Sequence, residues 1–334
     1  MPNPKRRRYT RLILRPLPLW PYVLVLFLLM VRYLPPPFLV ESDFLLTNQI
    51  LRWVLAFPIL FLAVLRLMRG YRIHAVTAGI AAIVLFAEMV YYLPSNQDKD
   101  LQAADTSAIT CMTYNVQGNW KKAFAYLQNH KPDIVALQEV HYPHFVLDSA
   151  DLKTLGYQYH TGELIRGRGG SICLLIQGRI LRTGTITFSK PHYRQRQAPY
   201  VDAVVNGYSI RIATMHLASV LNLADPGGLF SLLPYRYFQA EELADSIETW
   251  NQRRVILLGD MNSVPTDRAA LPIRHLLTDT WMQAGYGLGA TWHSSQPLHR
   301  IDYVFQRGFS GAADPVIMNE IDSDHLGYKV TLVP

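Results

Sequence analysis

The 334-residue chain is half hydrophobic and only 17% charged, against about 25% charged in a typical soluble domain, which excludes a disordered or fibrous protein and points to a membrane portion. The formal charge of +7 is unevenly placed, since residues 1–94 hold 11 Lys/Arg against 3 Asp/Glu and residues 95–334 hold 21 against 22. The basic excess lies outside the larger part, which therefore lacks the broad positive field needed to track a nucleic-acid backbone.

Three apolar stretches come first, Leu17–Leu34, Ile50–Met68 and Ile73–Leu93. Each is near the ~20 residues a spanning helix needs, so a bundle of three transmembrane helices is expected over residues 1–94. Two spans with an interfacial first segment is the alternative. Arg32 and Pro35-Pro36-Pro37 follow the first stretch in place of a small-residue cleavage site, which argues against a signal peptide. Lys5, Arg6, Arg7, Arg8, Arg11 and Arg15, like Arg66, Arg69 and Arg72, belong on the cytoplasmic side by the positive-inside rule. Glu41, Asp43 and everything after Pro94 then lie outside the cytoplasm. Arg52 and Glu88 fall at matching depths as a candidate ion pair, with separate snorkelling as the equal alternative. Residues 95–107 are polar and aperiodic, a linker.

Residues 108–334 are enough for one α/β domain with a large core. Strands are predicted at Ile109–Val116, Ile134–Leu137, Ser171–Ile176, Val201–Val205, Ile210–Thr214, Val255–Leu258, Ile301–Phe305 and Tyr328–Val333. Helices are predicted at Trp120–Asn129 and Tyr235–Trp250, the second with Phe238, Leu243 and Ile247 on one face. Strands outnumber helices and short turns join many of them, which favours mixed sheets packed together with helices outside. Cys111 and Cys173 suit no metal site. A disulfide is open to them outside the cytoplasm, but two buried thiols is the preferred reading.

The strands stop at polar residues: Asn115 in TYNVQG, Gln138 and Glu139 in ALQEV, His216 in TMHL, Asp260 and Asn262 in GDMNS, Asp302 in RIDYVF, Asp324 and His325 in SDH. Such ends converge on one edge of a packed scaffold, where function tends to sit. Glu139 and the aspartates are hard oxygen donors suited to Mg²⁺, Mn²⁺ or Ca²⁺. Asp260 and Asn262 are two apart and share a face of an extended segment, one to orient a water and the other to donate to an anion. An Asp–His pair fixes an imidazole tautomer and stabilises its cation. A dication, a positioned water and a paired histidine make a site for phosphoryl-ester hydrolysis.

This ordered set resembles the endonuclease/exonuclease/phosphatase (DNase I-like) superfamily over the whole of residues 108–334. The resemblance implies a four-layer α/β sandwich of two mixed sheets flanked by helices. It implies a divalent metal, Mg²⁺ first, on Glu139 with Asn115 and Asp324 nearby. It also implies Asp260 and Asn262 acting on water and phosphate, His325 bonded to Asp302 at the scissile phosphate, and His216 as a further phosphate contact. Met261, where the motif often has Phe, is flanking packing. The membrane arrangement is similar to a bacterial subgroup that includes teicoplanin-resistance-type proteins.

Other residues have plainer readings. Gly167-Arg168-Gly169-Gly170 lacks the lysine of a phosphate-binding loop and reads as a hairpin turn. Arg194 and Arg196 read as a solvated loop before a phosphate or headgroup contact. Arg236 and Gln239 are candidates to support the site from behind, and Trp292 to wall it. His293 and His299 read as loop residues, and Asn222–Leu233 as core before a membrane-facing or gating loop. The function expected is a membrane-anchored, metal-dependent phosphoesterase acting on a lipid or lipid-linked phosphate at the outer face of the bilayer. Its rivals are an extracytoplasmic nuclease and a non-catalytic tethered binding protein.

Overall fold

The computed structural model describes residues 49–91, 94, 107–140, 149–162, 171–189, 197–219 and 233–334. The expected span Leu17–Leu34, the cationic N-terminus, Glu41 and Asp43, and the linker up to residue 106 lie outside the described residues. So do Gly167–Gly170, Arg194, Arg196, residues 220–232 and the side chains of Arg52 and Glu88. The chain divides into two units, residues 1–91 and 92–334.

In the first unit, helix α1 (Gln49–Met68) and helix α2 (Arg72–Tyr91) form a hairpin. Gly70 makes the turn at φ +77°, in the left-handed region that glycine adopts without strain. The two helices meet mainly through small residues, with Ala56, Ala63, Ala78, Ala81 and Ala82 buried between them beside Ile59. Large apolar side chains face outward, among them Phe57, Phe61, Leu67, Ile73 and Ile83. The helices coincide with the second and third expected spans. Among the described residues, however, no helix is long and apolar enough to cross a membrane.

The second unit is built on two six-stranded sheets. Strands β1 (Ile109–Asn115), β2 (Ile134–Val140), β3 (Tyr157–Thr161), β4 (Ser171–Gln177), β11 (Gly311–Met318) and β12 (Gly327–Val333) form one, in the order β11-β12-β1-β2-β4-β3. Strands β5 (Arg179–Thr187), β6 (Gln197–Val205), β7 (Tyr208–His216), β8 (Val255–Asp260), β9 (Thr278–Asp279) and β10 (Asp302–Arg307) form the other, in the order β5-β6-β7-β8-β10-β9. Helix α3 (Trp120–His130) connects the parallel pair β1–β2, and helix α5 (Leu233–Glu248) the parallel pair β7–β8. Short helices α4 (Ser149–Thr154), α6 (Ala270–Leu276) and α7 (Thr280–Ala284) complete the unit.

Alternation along the strands dictates the layering. In β1, Ile109 and Cys111 enter the core between the sheets, while Met112 and Tyr114 face α3. In β8, Ile256 and Leu258 enter that same core, and Val255 and Leu257 pack under α5 against Leu243 and Ile247. Three apolar layers thus separate four layers of secondary structure, as the resemblance implied. Cys111 lies between the sheets and Cys173 packs against the α3 face, so opposite faces keep both thiols free and exclude the disulfide. Burial pushes both thiols up.

Topology then brings the polar ends together. β1 and β2 run parallel and end side by side, as do β7 and β8. β10 is antiparallel to β8, so its first residue, Asp302, pairs with the last of β8, Asp260. β12 is antiparallel to β1, so the chain entering it carries Asp324 and His325 to the edge where β1 ends.

Candidate active site

Asp260 is the centre of the site. It is 1% exposed and sits at the end of β8 after Gly259, whose φ of +146° is open to glycine alone. A Cβ on Gly259 would lie 2.0 Å from the Met215 carbonyl of neighbouring β7, so the close approach of these strands requires a residue without a side chain. Asp260 Oδ2 accepts from Asn115 Nδ2 at 3.1 Å, across the gap between the sheets. His216 Nε2 lies 3.6 Å and His325 Nε2 3.7 Å from the same oxygen. Burial raises the Asp260 carboxyl and Asp302 adds to the effect, while His325, His216 and Asn115 oppose it; the result is about 6.

Asn115 Nδ2 also reaches Glu139 Oε1 at 3.3 Å, so one amide ties a carboxylate of each sheet to itself. His216 Nε2 stands 3.8 Å from Glu139. Glu139 lies inside β2, two residues beyond the predicted strand end. The register of β2 against β4 slips between Leu137 and Val140, and Glu139 adopts φ +56°. This bulge turns the Glu139 carboxylate out of the ladder toward the site, where it keeps 29% of its side chain exposed. Behind it, Gln138 spans the sheets, accepting from Thr113 Oγ1 at 3.3 Å and donating to Thr214 Oγ1 at 3.5 Å.

His325 Nδ1 is 2.9 Å from Asp302 Oδ2. Burial alone pulls the imidazole down, but Asp302, Asp260 and Asp324 together outweigh it and hold it up at about 10, so the ring is a cation at neutral pH. Thr291 Oγ1 accepts from the amides of Ile301 and Asp302 at 3.2 and 3.3 Å and fixes the start of β10. Ser323 Oγ donates to the Asn115 carbonyl at 2.6 Å and accepts from the His325 amide at 3.1 Å. The Asp324 amide reaches Gln117 Oε1 at 3.3 Å. Thr291, Ser323 and Gln117 escape sequence reading because each acts through a backbone group distant in the chain.

Asn262 corrects one expectation. It does not share a strand face with Asp260: at φ +52° it has left the strand, and its amide N–H donates to Asp260 Oδ1 at 2.8 Å in a tight turn. Its side-chain Nδ2 donates to the Leu217 carbonyl at 2.9 Å. Met261 is buried under α5 as expected. Trp292 is half-buried, and its backbone pairs with both His299 and His325.

The arrangement brings together Asn115, Glu139, His216, Asp260, Asn262, Asp302 and His325, with Asp324 beside His325. Among the described residues, Asp260, Asp302 and His325 also group donor atoms within 4.8 Å of one another. The Asp302 Oδ1 atom is buried with no hydrogen-bond partner. Chemically, the site offers a base with a proton affinity near neutrality, two imidazoles, and carboxylates whose mutual repulsion a cation would relieve.

The sequence profile of the Endonuclease/Exonuclease/phosphatase family matches residues 112–325, most of the chain. No curated protein matches it. Among solved structures, humanized D. rerio TDP2 carrying 14 mutations has a TM-score of 0.55 at 20% identity, over 69% of this chain and 100% of that one. A family protein from Leptotrichia buccalis gives 0.53 at 17% identity, over 67% and 99%. The 3′ phosphatase NExo from Neisseria, bound to a product DNA hairpin, gives 0.52 at 16% identity, over 66% and 98%. These identities speak for the fold, and the profile spans every strand end described above from Asn115 to His325. The chain belongs to the Endonuclease/Exonuclease/phosphatase family.

Proposed function

We propose that the protein is a divalent-metal-dependent phosphoesterase, anchored in a membrane, that hydrolyses a phosphoester or phosphoanhydride outside the cytoplasm. A phospholipid or lipid-linked phosphate is the favoured substrate. The observation that carries the catalytic part is the convergence on Asp260 Oδ2 of Asn115, His216 and His325, at 3.1, 3.6 and 3.7 Å.

Glu139 would hold the cation, Mg²⁺ first and Mn²⁺ or Ca²⁺ after it, with Asp324 nearby and Asn115 donating to the Glu139 carboxylate beside it. The donor chemistry fits: Glu139 brings a hard, partly exposed carboxylate to within reach of the same amide as a second, buried one. When bound, such an ion supplies positive charge against the phosphoryl oxygens. The remaining work falls to the chain. Asp260 orients the attacking water and takes its proton, its carboxyl raised to about 6 for that task. Asn262 and the His325 cation donate to the oxygens that gain charge in the transition state. Asp302 holds the His325 ring in one orientation and stabilises its charge, and His216 gives a further contact to the phosphate.

Anchoring is supported by the α1–α2 hairpin, whose small residues face each other while Phe57, Phe61 and Leu67 face outward at 55, 63 and 61% exposure. Small residues between helices and large apolar ones outside is the pattern of helices packed in lipid. The basic turn at Arg66, Arg69 and Arg72 supports a cytoplasmic hairpin tip and an outward catalytic unit. This reading places the chain beside the teicoplanin-resistance-type membrane proteins. Carbonate extraction and protease accessibility in intact cells test it; release of the chain by carbonate overturns it.

A nuclease is the second reading. D. rerio TDP2 has been solved with a single-strand DNA product and NExo with a DNA hairpin, but the −1 charge of residues 95–334 speaks for a smaller phosphate substrate. The deciding experiment is a panel of lipid pyrophosphate, phospholipids, sphingomyelin, inositol phosphates and DNA, each with and without Mg²⁺. Mg²⁺-dependent cleavage of a lipid phosphate is expected. Cleavage of DNA alone selects the nuclease, and turnover of nothing in the panel selects a tethered binding protein.

A further inference from the structure

Helix α5 fastens two site loops at once. The Arg236 guanidinium donates to the Asn262 carbonyl through Nη1 and to Asp267 Oδ2 through Nη2. One turn along the helix, Gln239 Oε1 accepts from the Ala218 amide at 2.8 Å. Asn262 Nδ2 closes the circuit by donating to the Leu217 carbonyl at 2.9 Å. The loop after β7, the loop after β8 and one face of α5 thus form a hydrogen-bonded ring directly behind His216 and Asp260.

Arg236 is 2% exposed, and its Nε has no acceptor. A buried guanidinium facing a single carboxylate is costly, and an apolar residue of the same size stabilises a helix–loop contact as well or better. What an apolar residue lacks is the planar fork that reaches two acceptors in fixed geometry. Here one acceptor is the carbonyl of the residue held at φ +52°. The other, Asp267, is itself pinned, its Oδ1 accepting from the Ala269 amide at 3.1 Å. The fork therefore spans the 262–267 loop and holds the Asn262 carbonyl, while the Asn262 N–H, in the preceding peptide, donates to Asp260 Oδ1 at 2.8 Å, so the residue is held from both sides.

We infer that Arg236 is a positioning residue for the hydrolysis, fixing Asn262 beside Asp260 through the Asn262 carbonyl. The inference rests on the phosphoesterase reading above. Loss of the fork frees the Asn262–Ser263 peptide to rotate and Asn262 to shift with it, and a displacement of ~1 Å near a reacting centre costs about 100-fold in rate.

The test is a double-mutant cycle on the full-length protein in detergent, with bis(p-nitrophenyl) phosphate and Mg²⁺ as probe. Arg236→Met is expected to lower kcat about 100-fold with KM changed less than about twofold. Asn262→Ala is expected to lower kcat similarly, and adding Arg236→Met to it to cost less than about threefold more. Arg236→Lys, which reaches one acceptor but not both, should recover part of the loss. Multiplicative losses, a loss carried in KM, or full activity in Arg236→Met overturns the positioning role. Full activity in Asn262→Ala with an active wild type overturns the reading on which it rests. Should Arg236→Met not fold, Arg236→Lys and Asp267→Asn carry the same cycle.

Discussion

His325 Nδ1 stands 2.9 Å from Asp302 Oδ2, both side chains buried and contributed by segments that enter the site from different sheets. The contact does two things: it orients the ring so that Nε2 faces Asp260, and it helps keep the ring cationic against the pull of burial. Phosphoryl oxygens gaining charge then meet a fixed donor.

Asp302→Asn should keep the side-chain volume but remove the charge that sustains the cation. The His325 imidazole then falls from its elevated value, and kcat should drop by about 10²- to 10⁴-fold. Steady-state kinetics across pH measure both effects. Unchanged turnover at neutral pH contradicts the role given to the pair.

Asn115 Nδ2 donates to both Glu139 Oε1 and Asp260 Oδ2. In Asn115→Ala the two carboxylates lose their shared donor and repel. The Mg²⁺ concentration for half-maximal activity should rise by about 10- to 100-fold, with less change at saturating metal. A Mg²⁺ titration of the variant reads this directly, and an unchanged midpoint removes Asn115 from the metal site.

Much of this was legible in the sequence, and the parts that were not share a physical cause. Most strands at sheet centres are buried on both faces and read as near-continuous apolar runs, as β1, β4 and β8 do. Those missed, β3, β5, β9 and β11, are the edge strands of the two sheets. β5, with Arg179, Arg182 and a largely exposed pattern, shows how an edge hides its strand character behind polar residues. The polar strand ends announced the site, but the β2 bulge that turns Glu139 inward and the left-handed turn at Asn262 are backbone events that no side-chain period encodes.

Gly259→Ala tests the strand spacing under the site. Its Cβ would meet the Met215 carbonyl at 2.0 Å, so β7 and β8 must part, at a cost of about 3 kcal/mol or more. A denaturant midpoint far below wild type is expected. A stability equal to wild type contradicts the observed approach of the two strands.

Cys111 and Cys173 should both titrate as free thiols, and only after unfolding, because burial raises both and shields them. Ellman's reagent should find none in the native protein and both in denaturant without reductant. Detection of none in denaturant means an oxidised pair and overturns the placement of the two residues on opposite sheet faces.

The central claim is that Asp260 is the base of a metal-dependent phosphoesterase. The most direct measurement is kcat on the best phosphate substrate of the panel, with Mg²⁺, for wild type and Asp260→Ala of equal melting temperature. The account predicts a loss of about 10²- to 10⁴-fold in the variant. Turnover within a few-fold of wild type contradicts it.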